Sequence, residues 1–400
     1  MFQHVTPLPP DPLLGISIAF AQDNNPKKVD LGVGMYKDES GTTPIFDAVK
    51  RAEEKLIQSQ GSKSYIGSAG STQYNELMME LVFGSHHSAL MEQRIATVQT
   101  PGGCGALRVA AEFIKRCRPD TTIWVSDPTW PNHEPLLGDA GLKLATYPYY
   151  DQATHSILFD EMMKRLETIP AHDVVLLHGC CHNPSGADLS REQWNAINEL
   201  ALRKGFLVFI DLAYQGFGDG VDEDAYGVRL MSETLPELVV ANSCSKNFGI
   251  YRERTGTLCI VTQANETAPA VQSHLNKIVR GIYSMPPAHG AAIVETLLAD
   301  KELKKEWLVE LELVRNRIKD LRKILSDKIQ AYIGNDDYRF IEKQQGMFSF
   351  LSLSSQQVER LRVDFSIYVA GSSRANIAGL TLDNIDYVAK AIADVATNNG

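Results

Sequence analysis

The segment Ser243-Cys244-Ser245-Lys246-Asn247-Phe248-Gly249 follows an apolar run and leads on to Arg252 and Arg254. Most lysines are solvated surface groups. One at the C-terminal end of a buried strand, beside small hydroxyl residues and just upstream of two arginines, suits a Schiff base to an aldehyde with a phosphate held nearby. Strand ends of α/β sheets are where ligands bind. Asp211 closes another apolar run, Leu207-Val208-Phe209-Ile210, and precedes Leu212-Ala213-Tyr214-Gln215-Gly216. A carboxylate there caps a helix or joins a salt bridge, or else it pairs with a protonated pyridine nitrogen. In that role it keeps an aromatic ring an electron sink for a carbanion at a substrate's α carbon.

Thr100-Pro101-Gly102-Gly103-Cys104-Gly105 precedes a helical pattern of Leu107, Ala110 and Ile114, so its backbone N–H groups sit at a helix N-terminus and can receive a phosphate. It is not the dinucleotide fingerprint, whose third glycine would fall on Arg108, and no Gly-Lys-Ser/Thr follows to make a P-loop. His182-Asn183-Pro184-Ser185-Gly186 reads as a turn, in which Asn183 could also donate a hydrogen bond to a ring oxygen. Trp130, in Ser126-Asp127-Pro128-Thr129-Trp130-Pro131-Asn132-His133, is either core or a stacking platform for a flat cofactor.

The elements that must position these residues are legible in outline. Apolar runs at Thr122 to Ser126, Val174 to His178, Leu207 to Asp211, Val239 to Ser243 and Thr257 to Val261 alternate with helical patterns. That alternation predicts βαβ units around a mostly parallel sheet, buried on both faces. Ser190 with Gln193 forms a capping box; Trp194, Ile197 and Leu200 share one helix face and Gly205 stops the helix. Trp307, Leu311, Val314, Ile318, Leu321 and Leu325 recur at four- and three-residue spacings, predicting a long amphipathic helix that joins two domains or forms a coiled coil. Runs at Met347 to Leu353 and Phe365 to Ala370, with a helix from Thr381 towards Val395, predict a separate α+β lobe. The Pro-rich stretch Thr6 to Pro12 is not a core element.

Composition excludes other classes. A net charge of -10 over 400 residues lacks the basic stripe a nucleic-acid surface needs. Six cysteines without a C-x-x-C pair give no zinc spacing and point to a reducing compartment, the cytoplasm. Met1 to Leu14 shows no basic stretch followed by an apolar run, the pattern expected of a signal peptide, and no stretch approaches the roughly 18 apolar residues of a membrane span.

Taken together, Ser-x-Ser-Lys246-Asn-Phe-Gly with Arg254, Asp211-x-Ala-Tyr214-Gln-Gly-Phe, Cys-His-Asn183-Pro-x-Gly and Pro-Gly-Gly103 resemble the class I aspartate and aromatic amino acid aminotransferases, enzymes dependent on pyridoxal 5'-phosphate (PLP). The resemblance runs from Asp30-Leu31-Gly32-Val33-Gly34-Met35-Tyr36-Lys37-Asp38 to Gly371-Ser372-Ser373-Arg374-Ala375-Asn376-Ile377-Ala378-Gly379. It implies PLP fold type I, an α/β architecture in which a large domain with a mostly parallel central sheet accompanies a smaller α+β domain built from both termini. The expected division is an N-terminal arm over 1–12, a small domain from 13–45 and 314–400, and a large PLP-binding domain over 46–313. It further implies that Lys246 holds the cofactor and shuttles the substrate proton. Asp211 would face the pyridinium with His133 behind it, Trp130 would stack on the ring, and Tyr214 and Asn183 would hydrogen-bond its phenolic oxygen. Ser243, Arg254 and the Gly103-Cys104 backbone would bind the phosphate, with Tyr65 of a neighbouring subunit, making a homodimer with shared active sites. Arg374 would clamp the substrate α-carboxylate beside Gly34. Arg280 would reach across the dimer to the distal carboxylate of aspartate, glutamate or 2-oxoglutarate.

Two departures carry expectations of their own. Cys104 stands where Thr or Ser is usual, replacing a hydroxyl contact with a weak thiol donor, so a modestly lower cofactor affinity is expected. Met285 stands where the aspartate-specific relatives commonly carry asparagine; its apolar, adaptable side chain leans the pocket towards aromatic substrates. The expected reaction is ping-pong transfer of the amino group of tyrosine, phenylalanine and tryptophan, and of aspartate and glutamate, to 2-oxoglutarate or oxaloacetate. The alternative is an aspartate-specific enzyme. Rival chemistries are β-elimination or decarboxylation on the same fold, a PLP-sensing regulator, which needs a DNA-binding module in front, and an NAD enzyme, which the failed glycine fingerprint disfavours.

Overall fold

The computed structural model describes residues 2–8 and 12–397, the side chains of 12–14 excepted; of the expected N-terminal arm, residues 1 and 9–11 lie outside the described residues. The chain divides into two compact units. One comprises Met1–Thr43, Pro184–Gly186 and Ile318–Gly400, the other Pro44–Asn183 and Ala187–Arg317.

The second unit is built on a seven-stranded sheet. Its strands are β1 (Ile95–Pro101), β2 (Thr122–Asp127), β3 (Lys143–Pro148), β4 (Val174–His178), β5 (Leu207–Leu212), β6 (Leu238–Ser243) and β7 (Thr255–Val261). The order across the sheet is β1-β7-β6-β5-β4-β2-β3. The pairs from β3 to β6 are parallel, while β7 runs antiparallel to both β6 and β1. Each run expected from apolar composition is a strand. β1 and β3 were not expected: Lys143-Leu-Ala-Thr-Tyr-Pro is an edge strand whose exposed positions dilute the apolar signal. Val98, Ile123, Leu176, Phe209, Val239 and Leu258 bring the sheet into one core with Leu107 and Ile114 of the helix Gly102–Cys117.

The crossover helix Arg191–Lys204 carries the full capping box: Ser190 accepts from the Gln193 N–H, the Gln193 side chain accepts from Ser190 N, and left-handed Gly205 ends it. Trp194, Ile197 and Leu200 are buried as the spacing required. The long amphipathic pattern is a single 33-residue helix, Lys301–Ile333, with Trp307, Leu311, Val314, Ile318, Leu321 and Leu325 all buried. Trp307 serves the segment after Lys246. Its Nε1–H donates to Asn247 O at 2.7 Å and its ring stacks on Phe248 at 4.6 Å. Burying such a ring contributes about 3 kcal/mol.

In the first unit, Val29–Asp30 pairs parallel with Ile367–Tyr368, and Phe348–Phe350 pairs antiparallel with Arg374–Asn376. Leu321, Leu325, Ile341, Leu361, Val388 and Ile392 lie in its core. The last helix begins at Ile385 rather than Thr381, because Thr381 to Asn384 forms a hydrogen-bonded turn in which Asn384 Oδ1 accepts from Thr381 N. No described helix is long and apolar enough to cross a membrane.

Candidate active site

The C-terminal ends of β5 and β6 lie side by side, with Asp211 registered against Ala241 and Leu212 against Asn242. Chemistry-bearing groups therefore leave the sheet at one edge, as parallel strands require. Asp211 is buried, and its Oδ2 accepts a hydrogen bond from His133 Nε2 at 3.1 Å, the ionised carboxylate having no proton to give. Burial pushes its pKa up, but the hydrogen bond from His133 and the nearby Lys246 ammonium outweigh this and hold the carboxyl below its ordinary range. The Lys246 ammonium lies 4.7 Å from the centroid of the buried Tyr214 ring. Trp130 meets His133 edge to face at 5.4 Å.

Beside these lies a tight meeting of backbone and cation. The helix Gly102–Cys117 starts directly after β1, so its first N–H groups lack partners within the helix. Gly102 has φ +72°, and a Cβ there would come 2.5 Å from Arg254 Nη2; a Cβ on Gly103 would come 3.1 Å from Ser243 Cβ. Arg254, itself at φ +52°, donates from Nη1 to Ser245 Oγ at 3.1 Å and to Tyr251 O at 2.9 Å. Ser243 Oγ accepts from Ser245 N at 3.2 Å. A helix N-terminus, a guanidinium and a hydroxyl together form an anion cradle. Cys104 is half-buried, with Sγ 4.0 Å from Asn132 Nδ2.

Asn183 is buried past the end of β4. Tyr65 is 94% exposed, and Arg280 is exposed and hydrogen-bonds its near neighbour Ser284. Gly34 and Arg374 belong to the first unit, where Arg374 is buried, donates from Nη2 to Gly32 O at 2.9 Å and lies 4.2 Å over the Phe348 ring. A Cβ on Gly34 would meet that ring at 2.6 Å.

Sequence reasoning found His133 but missed what lies behind it. Thr129 Oγ1 is 2.8 Å from His133 Nδ1 and 3.2 Å from His178 Nε2. His178 tilts against His182 at 4.3 Å; His182 in turn stacks on Tyr149 and lies 2.9 Å from Ser126 Oγ. The clue available was the recurrence of His at or just past the ends of neighbouring strands. Burial, then the neighbouring His133, pushes the His178 pKa down to about 3 against the opposing pull of Asp211, and burial likewise pushes His182 far down. Both rings are therefore neutral in the fold and take up protons on unfolding. Their stabilisation is complete above the unfolded value near 6.5 and is lost as pH falls towards 3. Asp211, with its lowered pKa, adds a loss only below about pH 4. Denaturant midpoints should fall between pH 6.5 and 4, and His178→Gln should flatten the slope by up to about 1.4 kcal/mol per pH unit. An unchanged slope would remove His178 from this role.

Cys180, Cys181 and Asp224 bring their ligand atoms within 4.8 Å of one another, a grouping their spacing did not suggest. Asp224 is engaged as a turn anchor, accepting from Gly216 N and Gly218 N on Oδ2 and from Asp219 N on Oδ1.

The family model described as aminotransferase class I and II matches residues 26–392. The chain is 46% identical over 397 residues to an aromatic-amino-acid aminotransferase of Pseudomonas aeruginosa, covering 99% of both chains. It is 44% identical over 395 residues to an aspartate aminotransferase of Salmonella typhi, covering 99% of this chain and all of that one. Among solved structures it resembles the aromatic-amino-acid aminotransferase of Burkholderia pseudomallei covalently bound to pyridoxal phosphate, with a TM-score of 0.97, 39% identity and 99% of each chain covered.

Proposed function

We propose, from the premise that this chain belongs to the class I and II aminotransferases and is a PLP-dependent transaminase, that it exchanges the amino groups of aromatic amino acids and of aspartate and glutamate with 2-oxoglutarate or oxaloacetate. The observation that carries the reading is the Asp211–His133 pair beside Lys246 at one sheet edge. Three features support a fit to PLP in the second unit: an amine at a strand end, a buried carboxylate held anionic, and the cradle in which the Gly102 and Gly103 backbone closes tightly on Arg254 and Ser243.

When bound, PLP supplies an electron sink for the bond broken at the substrate's α carbon. Lys246 Nζ would anchor the cofactor and would take the proton from the substrate's Cα and return it. Asp211 would hold the ring nitrogen protonated, with its carboxylate oriented by the hydrogen bond from His133. Trp130 would stack on the ring, and Tyr214 and Asn183 would hydrogen-bond its oxygen. Ser243, Arg254 and the N–H groups of Gly103 and Cys104 would hold the phosphate. Arg374, beside Gly34, receives the α-carboxylate in a two-pronged hydrogen bond.

Tyr65 and Arg280 are proposed to act on a partner's site in a homodimer, a reading supported by their exposure; sedimentation that returned a monomer would refute it. Six free cysteines support a cytoplasmic enzyme. The half-buried Met285 supports aromatic acceptance.

The test is spectral. The PLP-loaded protein is given aspartate, phenylalanine or tyrosine with no oxo acid, and conversion of the long-wavelength cofactor band to the pyridoxamine band establishes the half-reaction and ranks the donors. Arg280→Ala should slow aspartate and glutamate by about 100-fold or more while leaving phenylalanine within a few-fold. Equal losses would refute the assignment of Arg280, and the absence of any cofactor band would refute the PLP reading.

A further inference from the structure

Arg322 is one of the largest fully buried side chains among the described residues, at 1% exposure. Its guanidinium spreads over the turn between the short helix Phe340–Lys343 and the strand Phe348–Phe350. Nε donates to Gly346 O at 3.1 Å, Nη1 to Ile341 O at 3.0 Å and to Ser349 Oγ at 2.8 Å, and Nη2 to Gln345 O at 3.1 Å, Gly346 O at 2.7 Å and Phe348 O at 2.5 Å. One side chain thus fixes the carbonyls of four residues and one hydroxyl, a use that needs the five donors of a planar fork. The strand it anchors pairs in register with the strand that carries Arg374: Phe348 opposes Asn376, and Phe350 opposes Arg374. The Phe348 ring lies 4.2 Å beneath the Arg374 guanidinium, whose Nη2 is spent on Gly32 O. The same ring fills the space a Cβ on Gly34 would need.

From this chain of contacts we infer that Arg322 is a positioning residue for substrate carboxylate binding: it sets the height and tilt of the Phe348 ring, and the ring holds the Arg374 fork in the orientation a carboxylate must meet. The inference rests on the reading of Arg374 as the α-carboxylate ligand. Arg322 touches no substrate; it acts through backbone carbonyls it keeps from water. A lysine at 322 keeps the charge but offers a point donor that cannot span these acceptors. The Phe348 carbonyl then shifts, the ring follows, and the stacked guanidinium loses its plane.

The experiment uses PLP-loaded protein and 3-phenylpropionate, a carboxylate with no amino group to react, with Kd measured by calorimetry. A second readout is the affinity of each apoprotein for PLP, which a general loss of structure would lower and misorientation of Arg374 would not. Arg322→Lys should raise the Kd for 3-phenylpropionate about tenfold and leave PLP affinity unchanged. If Arg322→Lys does not fold, Ser349→Ala, which removes one acceptor and leaves the guanidinium in place, should raise the Kd about threefold. An unchanged Kd in a folded variant, or equal losses for PLP and 3-phenylpropionate, overturns the positioning role. Arg374→Ala separates the two readings. If it too binds 3-phenylpropionate normally, the assignment of Arg374 fails; if it alone loses binding, only the role of Arg322 fails.

Discussion

A Lys246→Ala protein is expected to fold, to lose the long-wavelength absorbance of bound PLP, and to transaminate at least about 10,000-fold more slowly than the parent chain. In the proposed reading the side chain would carry two duties, anchoring the cofactor and moving the proton at Cα, so its removal would take away both. Its surroundings explain why folding should survive. Lys246 is half-buried at the mouth of the sheet, whereas Cys244, Asn247 and Phe248 around it are buried, and Trp307 pins the Asn247 carbonyl and the Phe248 ring independently of the amine. The measurement is steady-state turnover with phenylalanine and 2-oxoglutarate beside an absorbance spectrum. A fully active Lys246→Ala chain would sink the functional assignment.

Asp211→Asn is expected to cost about 100- to 1,000-fold in turnover with little change in melting temperature. Asparagine keeps the volume and can still meet His133, so the 3.1 Å contact has a substitute. It cannot keep the charge that the fold takes trouble to preserve against burial. In the proposed site, loss of that charge would leave the ring nitrogen of bound PLP without its anionic partner and would weaken the electron sink the cofactor supplies. Asp211→Glu should lose less, since it retains the charge at some cost in geometry. The two variants therefore separate charge from shape. Near-parental turnover in Asp211→Asn would show that this carboxylate is a structural partner of His133 and nothing more.

The helices illustrate how far local rules reach. Ser190, Gln193 and Gly205 bound the crossover helix as capping chemistry dictates, and the heptad-like spacing from Trp307 to Leu325 yields one continuous helix, because both signals act within a few residues of chain. The sheet illustrates the limit. Nothing local tells that Ile95–Pro101 closes the sheet's far edge against β7, since the two strands that pair there lie more than 150 residues apart in the chain.

The same division runs through the site. Residue types at strand ends determined that an amine and a carboxylate stand where a parallel sheet presents its chemistry, and predicted an anion cradle beside them, because a lysine or aspartate at the end of an apolar run must find a use for its charge. The glycines at 102 and 103 announced a close approach of backbone without saying to what; the fold answers with Arg254 and Ser243. Only the tertiary structure decided that Thr129 links His133 to His178, that Arg322 spans the turn before Phe348, and that Phe348 lies beneath Arg374. Each of these depends on a distance between residues far apart in sequence. Hydrogen bonds and ring contacts act over a few ångströms of space, and the chain alone does not say which of its distant parts will be brought that close.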